Sequence, residues 1–217
     1  MSVYSESGNG KCSKNGNGEY SEGGIAEEKQ RLRVQVRRRA RELSTEYMSR
    51  ADRMILEHLT ALDIYRKAET VCCYAGIRRE IHTRLVFPDV LNRGKRLCVP
   101  LCVSAGLMEM HRIVSVDSLH PGTMGIPEPS ADTEVISPVE IDLMIVPCLS
   151  CDTNGWRLGY GGGYYDRYLP LCQGETILLC REQLLCPEIP HDVHDICVRR
   201  VLTEEGLYEN GVKILVN

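Results

Sequence analysis

Residues 141–147 have the sequence IDLMIVP, and residues 152–169, shortly after them, have the sequence DTNGWRLGYGGGYYDRYL. The first stretch is a continuous apolar run, which is typical of a strand buried on both faces of a parallel sheet. The second stretch is rich in glycine. Because ligands bind at the carboxyl ends of the strands in open α/β sheets, it is predicted to form a ligand-binding loop.

Outward from this pair, short apolar runs alternate with helical or turn segments, which favours an α/β domain with a largely parallel sheet. Strands are predicted at 70–76, 96–103, 107–113, 176–180 and 198–203. Apolar periodicity predicts helices at about 27–43 and 49–65, and a third helix at 83–92 that Pro88 must kink or restart. Ser49 and Asp52 suit a capping box at the start of the second helix.

The composition is that of a soluble globular protein, with 43% hydrophobic and 26% charged residues. Residues 1–25 are rich in Gly, Ser and Asn and are predicted to be a disordered tail. One domain is expected over residues 26–209, followed by a C-terminal extension, 210–217. The net charge of −4 argues against a nucleic-acid binder. Neither a membrane span nor a targeting peptide is predicted, so the expected location is the cytoplasm.

The eleven cysteines are odd in number and irregular in spacing, and only Cys148 and Cys151 have C-x-x-C spacing. Turn residues follow this pair where a thioredoxin-like site needs a helix, and a zinc site needs a second such pair. Most of the other cysteines lie in apolar runs, where they are expected to be small buried hydrophobes in a reducing compartment. The spacing of Cys186, His191, His194 and Cys197 matches no common structural zinc site.

The glycine-rich stretch has the chemistry of a phosphate-binding loop. Its glycines let the backbone approach a ligand closely, so that successive N–H groups can converge on phosphate oxygens. The helix expected from Tyr164 would add its N-terminus, Arg157 supplies positive charge, and Asp166 could hold Mg²⁺. Neither GxxxxGK[ST] nor GxGxxG is present, so a flexible turn remains the alternative.

The string RLGYGGGYYDRYL (157–169) resembles the signature of the 5-formyltetrahydrofolate cyclo-ligase family. Supporting motifs occur in the family's order between Lys29 and Glu204: Lys29 and Arg33 on a basic helix, Glu80, Gly94 and Lys95, GIPEP (125–129), and EQ…P…HD…TE from Glu182. The resemblance implies a single three-layer, Rossmann-like α/β domain, which is expected to be a monomer. It also implies an activity: ATP phosphorylates the formyl oxygen of 5-formyltetrahydrofolate, N10 attacks the activated carbon, and phosphate leaves to give 5,10-methenyltetrahydrofolate.

The resemblance also implies the site residues, each of which has a structural alternative. The alternatives are core packing for the tyrosines and a solvated basic surface for the first helix. For Asp166 the alternative is a charge at a helix N-terminus, and for Asp195 it is an ordinary turn aspartate. The magnesium ligands are expected to be Asp166 and Asp195, and the catalytic residues Arg157 and Tyr164. The implied ATP-binding residues are Lys29, Arg33, Arg157, Leu158, Gly159, Tyr160, Gly161, Gly162, Gly163, Tyr164 and Tyr165. The implied folate-binding residues are Ala75, Glu80, Tyr160, Gly161, Gly162, Gly163 and Tyr164.

Four residues depart from the family's pattern: His82, Cys148, Cys151 and Arg199. These departures keep open a non-catalytic or repurposed paralogue that binds folate or nucleotide without ring closure. An RNA-binding module built on the basic helix is a third possibility. It would need a second basic or aromatic surface, and the sequence shows no obvious one.

Overall fold

The computed structural model describes residues 22–122 and 125–214, so residues 1–21 of the predicted tail lie outside the described residues. Five helices are described: α1 Glu22–Glu42, α2 Thr45–Ala61, α3 Asp63–Lys67, α4 Phe87–Asn92 and α5 Tyr164–Tyr168. The strands are β1 Thr70–Cys73, β2 Arg96–Ser104, β3 Leu107–Ile113, β4 His120–Pro121, β5 Pro127–Glu128, β6 Val135–Ile136, β7 Leu143–Val146, β8 Ser150–Cys151, β9 Arg157–Leu158, β10 Glu175–Leu179, β11 Arg200–Thr203, β12 Gly206–Glu209 and β13 Val212–Ile214.

Nine of these strands form one sheet in the order β13-β12-β11-β10-β7-β1-β2-β3-β6. Its five central strands, from β11 to β2, are parallel to one another. The outer strands on both sides are antiparallel. The predicted α/β class with a largely parallel sheet is therefore confirmed, with antiparallel edges added.

The edge formed by β12 and β13 was not predicted, and β13 lies within the predicted C-terminal extension. Asn210 and Gly211 join the two strands in a two-residue turn, with φ of 50° and 83°. An Asn-Gly pair between strands is the strongest short-range hairpin signal in a sequence, because both positions of a type I′ turn need positive φ. The sequence therefore carried a signal for this hairpin.

The central strands are buried on both faces, which explains their continuous apolar sequences. In β1, Val71 and Cys73 pack into the apolar cluster that α2, α3 and α4 cover, whereas Cys72 packs into the cluster that contains Tyr168 of α5. The sheet is thus the middle of three layers. Cys72, Cys73 and Cys98 are fully buried, as predicted for cysteines in apolar runs.

The helix boundaries correct two predictions. The first helix begins at Glu22, inside the predicted tail, and Ile25 in its first turns is buried. The second helix begins at Thr45, where the Ser44 side chain caps it by accepting a hydrogen bond from Tyr47 N at 3.1 Å. Ser49 and Asp52 therefore form no capping box. As predicted, the helix restarts at Pro88, which lies in the first turn of α4.

No helix among residues 22–122 and 125–214 is both long and apolar enough to cross a bilayer.

Asp52 instead forms a buried ion pair with Arg181, the second residue after β10. Arg181 Nε lies 2.7 Å from Asp52 Oδ1, its Nη2 lies 3.0 Å from Oδ2, and both side chains are 3% exposed. The same guanidinium donates to the carbonyls of Arg79 and Glu80, and Asp52 Oδ2 accepts a bond from His82 N. The pair therefore ties the loop after β1 to α2 and β10.

Replacing Asp52 with Asn should destabilise the protein strongly, because it leaves the Arg181 charge buried without a counter-ion. Breaking such a pair from one side costs about 3–5 kcal/mol. Urea unfolding of Asp52→Asn measures the loss. The matched control is Asp63→Asn, which removes the exposed Lys67 partner and should be neutral. Equal and small effects of the two substitutions would contradict the role given to Asp52.

Candidate active site

The glycine-rich loop, residues 159–163, connects β9 to α5 at the edge of the sheet. Gly161 and Gly163 have φ of 102° and 64°, a region that side chains rarely adopt, so the loop shape depends on glycine there. Within the described residues, the backbone amides of 160–163 donate no hydrogen bond. Since α5 has only five residues, these loop amides, rather than a helix dipole, are what the segment offers to an anion.

Arg167 fixes the position of this loop, a role that sequence reasoning missed. Its Nη2 donates to Gly162 O at 2.6 Å and its Nε donates to Gly106 O, in the turn between β2 and β3, at 2.9 Å. One guanidinium thus anchors the loop to a neighbouring turn of the sheet.

The basic helix α1 passes beside the same loop, as the resemblance implied. Arg33 Nε donates to Gly159 O at 2.9 Å, and a Cβ at Gly161 would lie 3.7 Å from Arg33 Cζ. Burial, together with the charge of nearby Arg37, lowers the pKa of Arg33. One turn earlier, Lys29 Nζ contacts the Asp195 carboxylate. Lys29 also lies 3.4 Å from Asp192 Oδ2, a partner that the sequence did not single out for it.

The sequence suggested that Arg157 lies at a ligand-facing surface. In the structure it does not. It is 8% exposed, and its Nη2 lies 2.5 Å from Asp166 Oδ1 while its Nη1 donates to Ile196 O at 2.5 Å. The Arg157 guanidinium is therefore engaged inside the protein. The neighbouring Leu158 side chain is fully buried against Val36, so Leu158 can offer a ligand only its backbone.

The two predicted magnesium ligands are neighbours in space. Asp166 Oδ1 accepts a hydrogen bond from the backbone N of Ile196, the residue after Asp195, at 3.1 Å. Asp195 Oδ2 binds Lys29 and accepts a bond from Asp192 N at 2.7 Å. Among the residues described, Asp166 Oδ2 and Asp195 Oδ1 have no hydrogen-bond partner. Carboxylate oxygens in this arrangement fit the preference of Mg²⁺ for hard donors.

On the other side of Tyr160 lie the residues expected to contact folate. Glu80 Oε2 accepts a hydrogen bond from Ile77 N at 2.8 Å, and Ala75 is buried at the end of β1. Tyr160 is 48% exposed; burial of its hydroxyl raises its pKa and the charge of Glu80 raises it further. The charge of Glu80 also adds to the raised pKa of buried Tyr74. Glu80 thus lies beside aromatic rings at the rim of the loop.

Tyr164 and Tyr165 follow the loop and are half-buried. Both pack against the apolar cluster that contains Tyr168. For Tyr165, burial raises the pKa of the phenol well above its usual value. Core packing, the alternative to ligand contact, is therefore part of what these two side chains do.

The segment that carries Asp192 and Asp195 is held by a stacked pair of rings, which sequence reasoning missed. The rings of Trp156 and His191 lie 3.7 Å apart at an interplanar angle of 5°, and His191 Nδ1 donates to Ile189 O at 2.9 Å. Within the described residues, His191 and His194 do not join Cys186 and Cys197 in a metal-binding group.

Cys148 lies near enough to Arg157 and Glu80 for both charges to act on its thiol. Hydrogen bonds with the thiols of Cys151 and Cys180 hold the pKa of Cys148 well below its ordinary value, and the charge of Arg157 acts in the same direction. The charge of the Glu80 carboxylate opposes this lowering.

Comparison with known proteins shows the family of this chain. Residues 25–204 match the 5-formyltetrahydrofolate cyclo-ligase family. The chain belongs to that family. It is 30% identical over 195 residues to the mouse 5-formyltetrahydrofolate cyclo-ligase, covering 84% of this chain and 96% of the mouse protein. It is 26% identical over 180 residues to the Escherichia coli K12 enzyme of that name, covering 80% and 99% of the two chains.

A solved structure supports the same fold. The NMR structure of Aquifex aeolicus 5,10-methenyltetrahydrofolate synthetase superimposes on this family member with a TM-score of 0.76 at 30% identity, covering 87% of this chain and 96% of the other. The expected family and the expected three-layer fold are thus confirmed. The roles given to individual site residues remain predictions.

Replacing Arg157 with Ala should reduce stability as well as activity, because Asp166 and Ile196 O lose a charged donor. We expect a loss of about 1.5–3 kcal/mol in the free energy of unfolding. Urea unfolding of Arg157→Ala, Asp166→Asn and the double variant measures the coupling between the two side chains. Arg199→Ala, at an exposed arginine, is the control. Additive effects of the two substitutions would contradict the pairing.

Proposed function

We propose that this chain converts 5-formyltetrahydrofolate to 5,10-methenyltetrahydrofolate with consumption of ATP. The observation that carries the proposal is the glycine-rich loop, whose backbone amides at 160–163 are free within the described residues and lie beside Arg33. Tyr160 belongs to this loop and also lies beside Glu80. The proposed phosphate and folate subsites would therefore share Tyr160, which suits a transfer that needs both substrates close together.

The ATP phosphates would lie on the amides of Tyr160, Gly161, Gly162 and Gly163. Arg33 contacts this loop, and Lys29, one turn earlier on the same face of α1, contacts Asp195. Their charges would balance the phosphate charge, whereas Arg157, Leu158 and Gly159 act by holding the loop in place. We assign Arg157 a positioning role.

Asp166 and Asp195 would hold Mg²⁺ through the oxygens that accept no hydrogen bond from the described residues. When bound there, Mg²⁺ would supply positive charge that offsets the negative charge built up during phosphoryl transfer. Arg157 orients Asp166, and the turn at Asp192 orients Asp195.

The folate substrate would lie over Ala75 and Tyr160, with Glu80 and Tyr164 at its edge. The Glu80 carboxylate is held by Ile77 N, and the Glu80 carbonyl is held by Arg181, so the whole residue is fixed before substrate binds. Such fixation lowers the entropic cost of aligning the formyl oxygen with the γ-phosphate. After phosphorylation, N10 attacks the formyl carbon, and the C–O bond to phosphate breaks as the ring closes.

The basic helix is better explained by this site than by RNA binding. Besides Lys29 and Arg33, Arg39 also points into the protein, where its Nη2 donates to Gln183 O at 2.5 Å and to Leu185 O at 3.1 Å. The proposal needs only small-molecule substrates and one chain, so neither nucleic acid nor a second subunit enters it.

Activity is tested by incubating the protein with 5-formyltetrahydrofolate, ATP and magnesium and following the absorbance of methenyltetrahydrofolate. We expect turnover that requires both ATP and metal and stops in excess chelator. Tight binding of ATP or folate without product would instead support a non-catalytic paralogue. Turnover that is unchanged by chelator would contradict the role of the two aspartates.

Arg33→Ala should raise the KM for ATP roughly tenfold or more, because a charged contact to phosphate is worth about 1.5–3 kcal/mol. The matched control is Arg31→Ala on the same helix, since Arg31 is exposed and pairs only loosely with Glu27 among the described residues. Thermal unfolding of both variants separates loss of binding from loss of fold. Equal KM values for the two variants would contradict the placement of ATP.

A further inference from the structure

The thiols of Cys148, Cys151 and Cys180 lie close together beside the loop that follows β7. Cys148 lies two residues before β8, Cys151 is the last residue of β8, and Cys180 directly follows β10. The three Sγ atoms all lie within 4.8 Å of one another. Among residues 22–122 and 125–214, no other three His, Cys, Asp or Glu side chains come together in this way. Cys151 and Cys180 are buried, while Cys148 is partly exposed.

We propose that Cys148, Cys151 and Cys180 form a three-thiolate binding site for a soft divalent cation, with Zn²⁺ as the ion we would test. A zinc–sulfur bond is about 2.3 Å long, so three sulfurs around one zinc stand roughly 3.8–4.0 Å apart. The three Sγ atoms, which all lie within 4.8 Å of one another, are compatible with this spacing. Closing the site therefore needs only small side-chain movements.

The chemistry of the three donors selects the ion. Thiolates favour Zn²⁺ and Cu⁺ over hard cations such as Mg²⁺, which the carboxylates of Asp166 and Asp195 suit instead. The chain thus separates hard and soft donors into two neighbouring groups. Binding would replace the S–H protons that remain on the three thiols by one zinc ion, and the occupied site would carry one negative charge. A water molecule would complete the tetrahedron from the exposed side of Cys148.

A metal explains the cluster better than a disulfide does. A disulfide joins two sulfurs at about 2.05 Å and leaves the third without a role. A metal uses all three, and it would link the β7–β8 loop to the end of β10. This inference is independent of the proposed function, because it rests on thiols that take no part in the proposed reaction.

The test uses the full chain, reduced and freed of metal, titrated with Zn²⁺ against a chromophoric chelator. We expect one tight equivalent, and Co²⁺ should give the near-ultraviolet charge-transfer band of thiolate ligation. Cys148→Ser should weaken zinc binding by about 100-fold or more, beyond the roughly 10–100-fold effect of residues outside the first coordination sphere. Cys172→Ser, at another partly exposed cysteine outside the cluster, should bind zinc as the parent does.

Melting temperatures measured with and without zinc provide a second readout of zinc binding in the parent and in each variant. Zinc at 100 times its Kd should raise the melting temperature of the parent and of Cys172→Ser by roughly 5–10 °C, and that of Cys148→Ser by much less. Because Cys148 is partly exposed, Cys148→Ser should fold normally, and its circular dichroism spectrum checks this. Absence of a tight equivalent, absence of the thiolate band, or equal zinc affinity in Cys148→Ser would overturn the proposal. Cys180→Ser provides a second, independent loss of binding.

Discussion

The buried pair between Asp52 and Arg181 is the interaction on which the site's geometry depends. It joins three segments that are far apart in sequence: α2, the loop after β1 and the residue pair after β10. Two charges in the interior are tolerated only because each has several partners; Arg181 also satisfies two carbonyls and Asp52 a backbone N–H. The same bonds fix the backbone of Glu80. A change at Asp52 would therefore alter the proposed folate side of the site through the backbone of Glu80, although Asp52 itself is not one of the proposed folate-binding residues.

Much of the architecture could be predicted because the central strands are apolar on both faces. A run such as residues 141–147 is typical of a strand buried on both faces of a parallel sheet. The glycine-rich stretch follows that strand, where open α/β sheets bind ligands. The resemblance implied Arg33 as an ATP-binding residue; the structure shows its contact with Gly159 O, and its role toward ATP stays a prediction. The antiparallel edges were missed, although Asn210 and Gly211 form a turn whose local signal was present.

Long-range pairing explains what the sequence did not reveal. Ser49 and Asp52 have the spacing of a cap, but spacing cannot show that Arg181 will lie opposite Asp52. Arg157 looked like a phosphate ligand because its string is rich in glycine, yet its guanidinium faces Asp166. Likewise, Cys148 and Cys151 lack a second C-x-x-C pair, and only the parallel pairing of β7 with β10 places Cys180 beside them.

The ion pairs of the site show how it remains stable before its ligands arrive. Lys29 and Arg157 neutralise the carboxylates of Asp195 and Asp166, which would otherwise repel each other at close range. If phosphate and magnesium bind where we propose, Lys29 exchanges a carboxylate for phosphate, and Asp195 exchanges an ammonium for metal. Arg157 is too deeply buried to make such an exchange, so it keeps Asp166 fixed throughout. On the proposed placement, the site would combine one exchangeable pair with one permanent pair, which favours a preorganised metal ligand beside a mobile phosphate ligand.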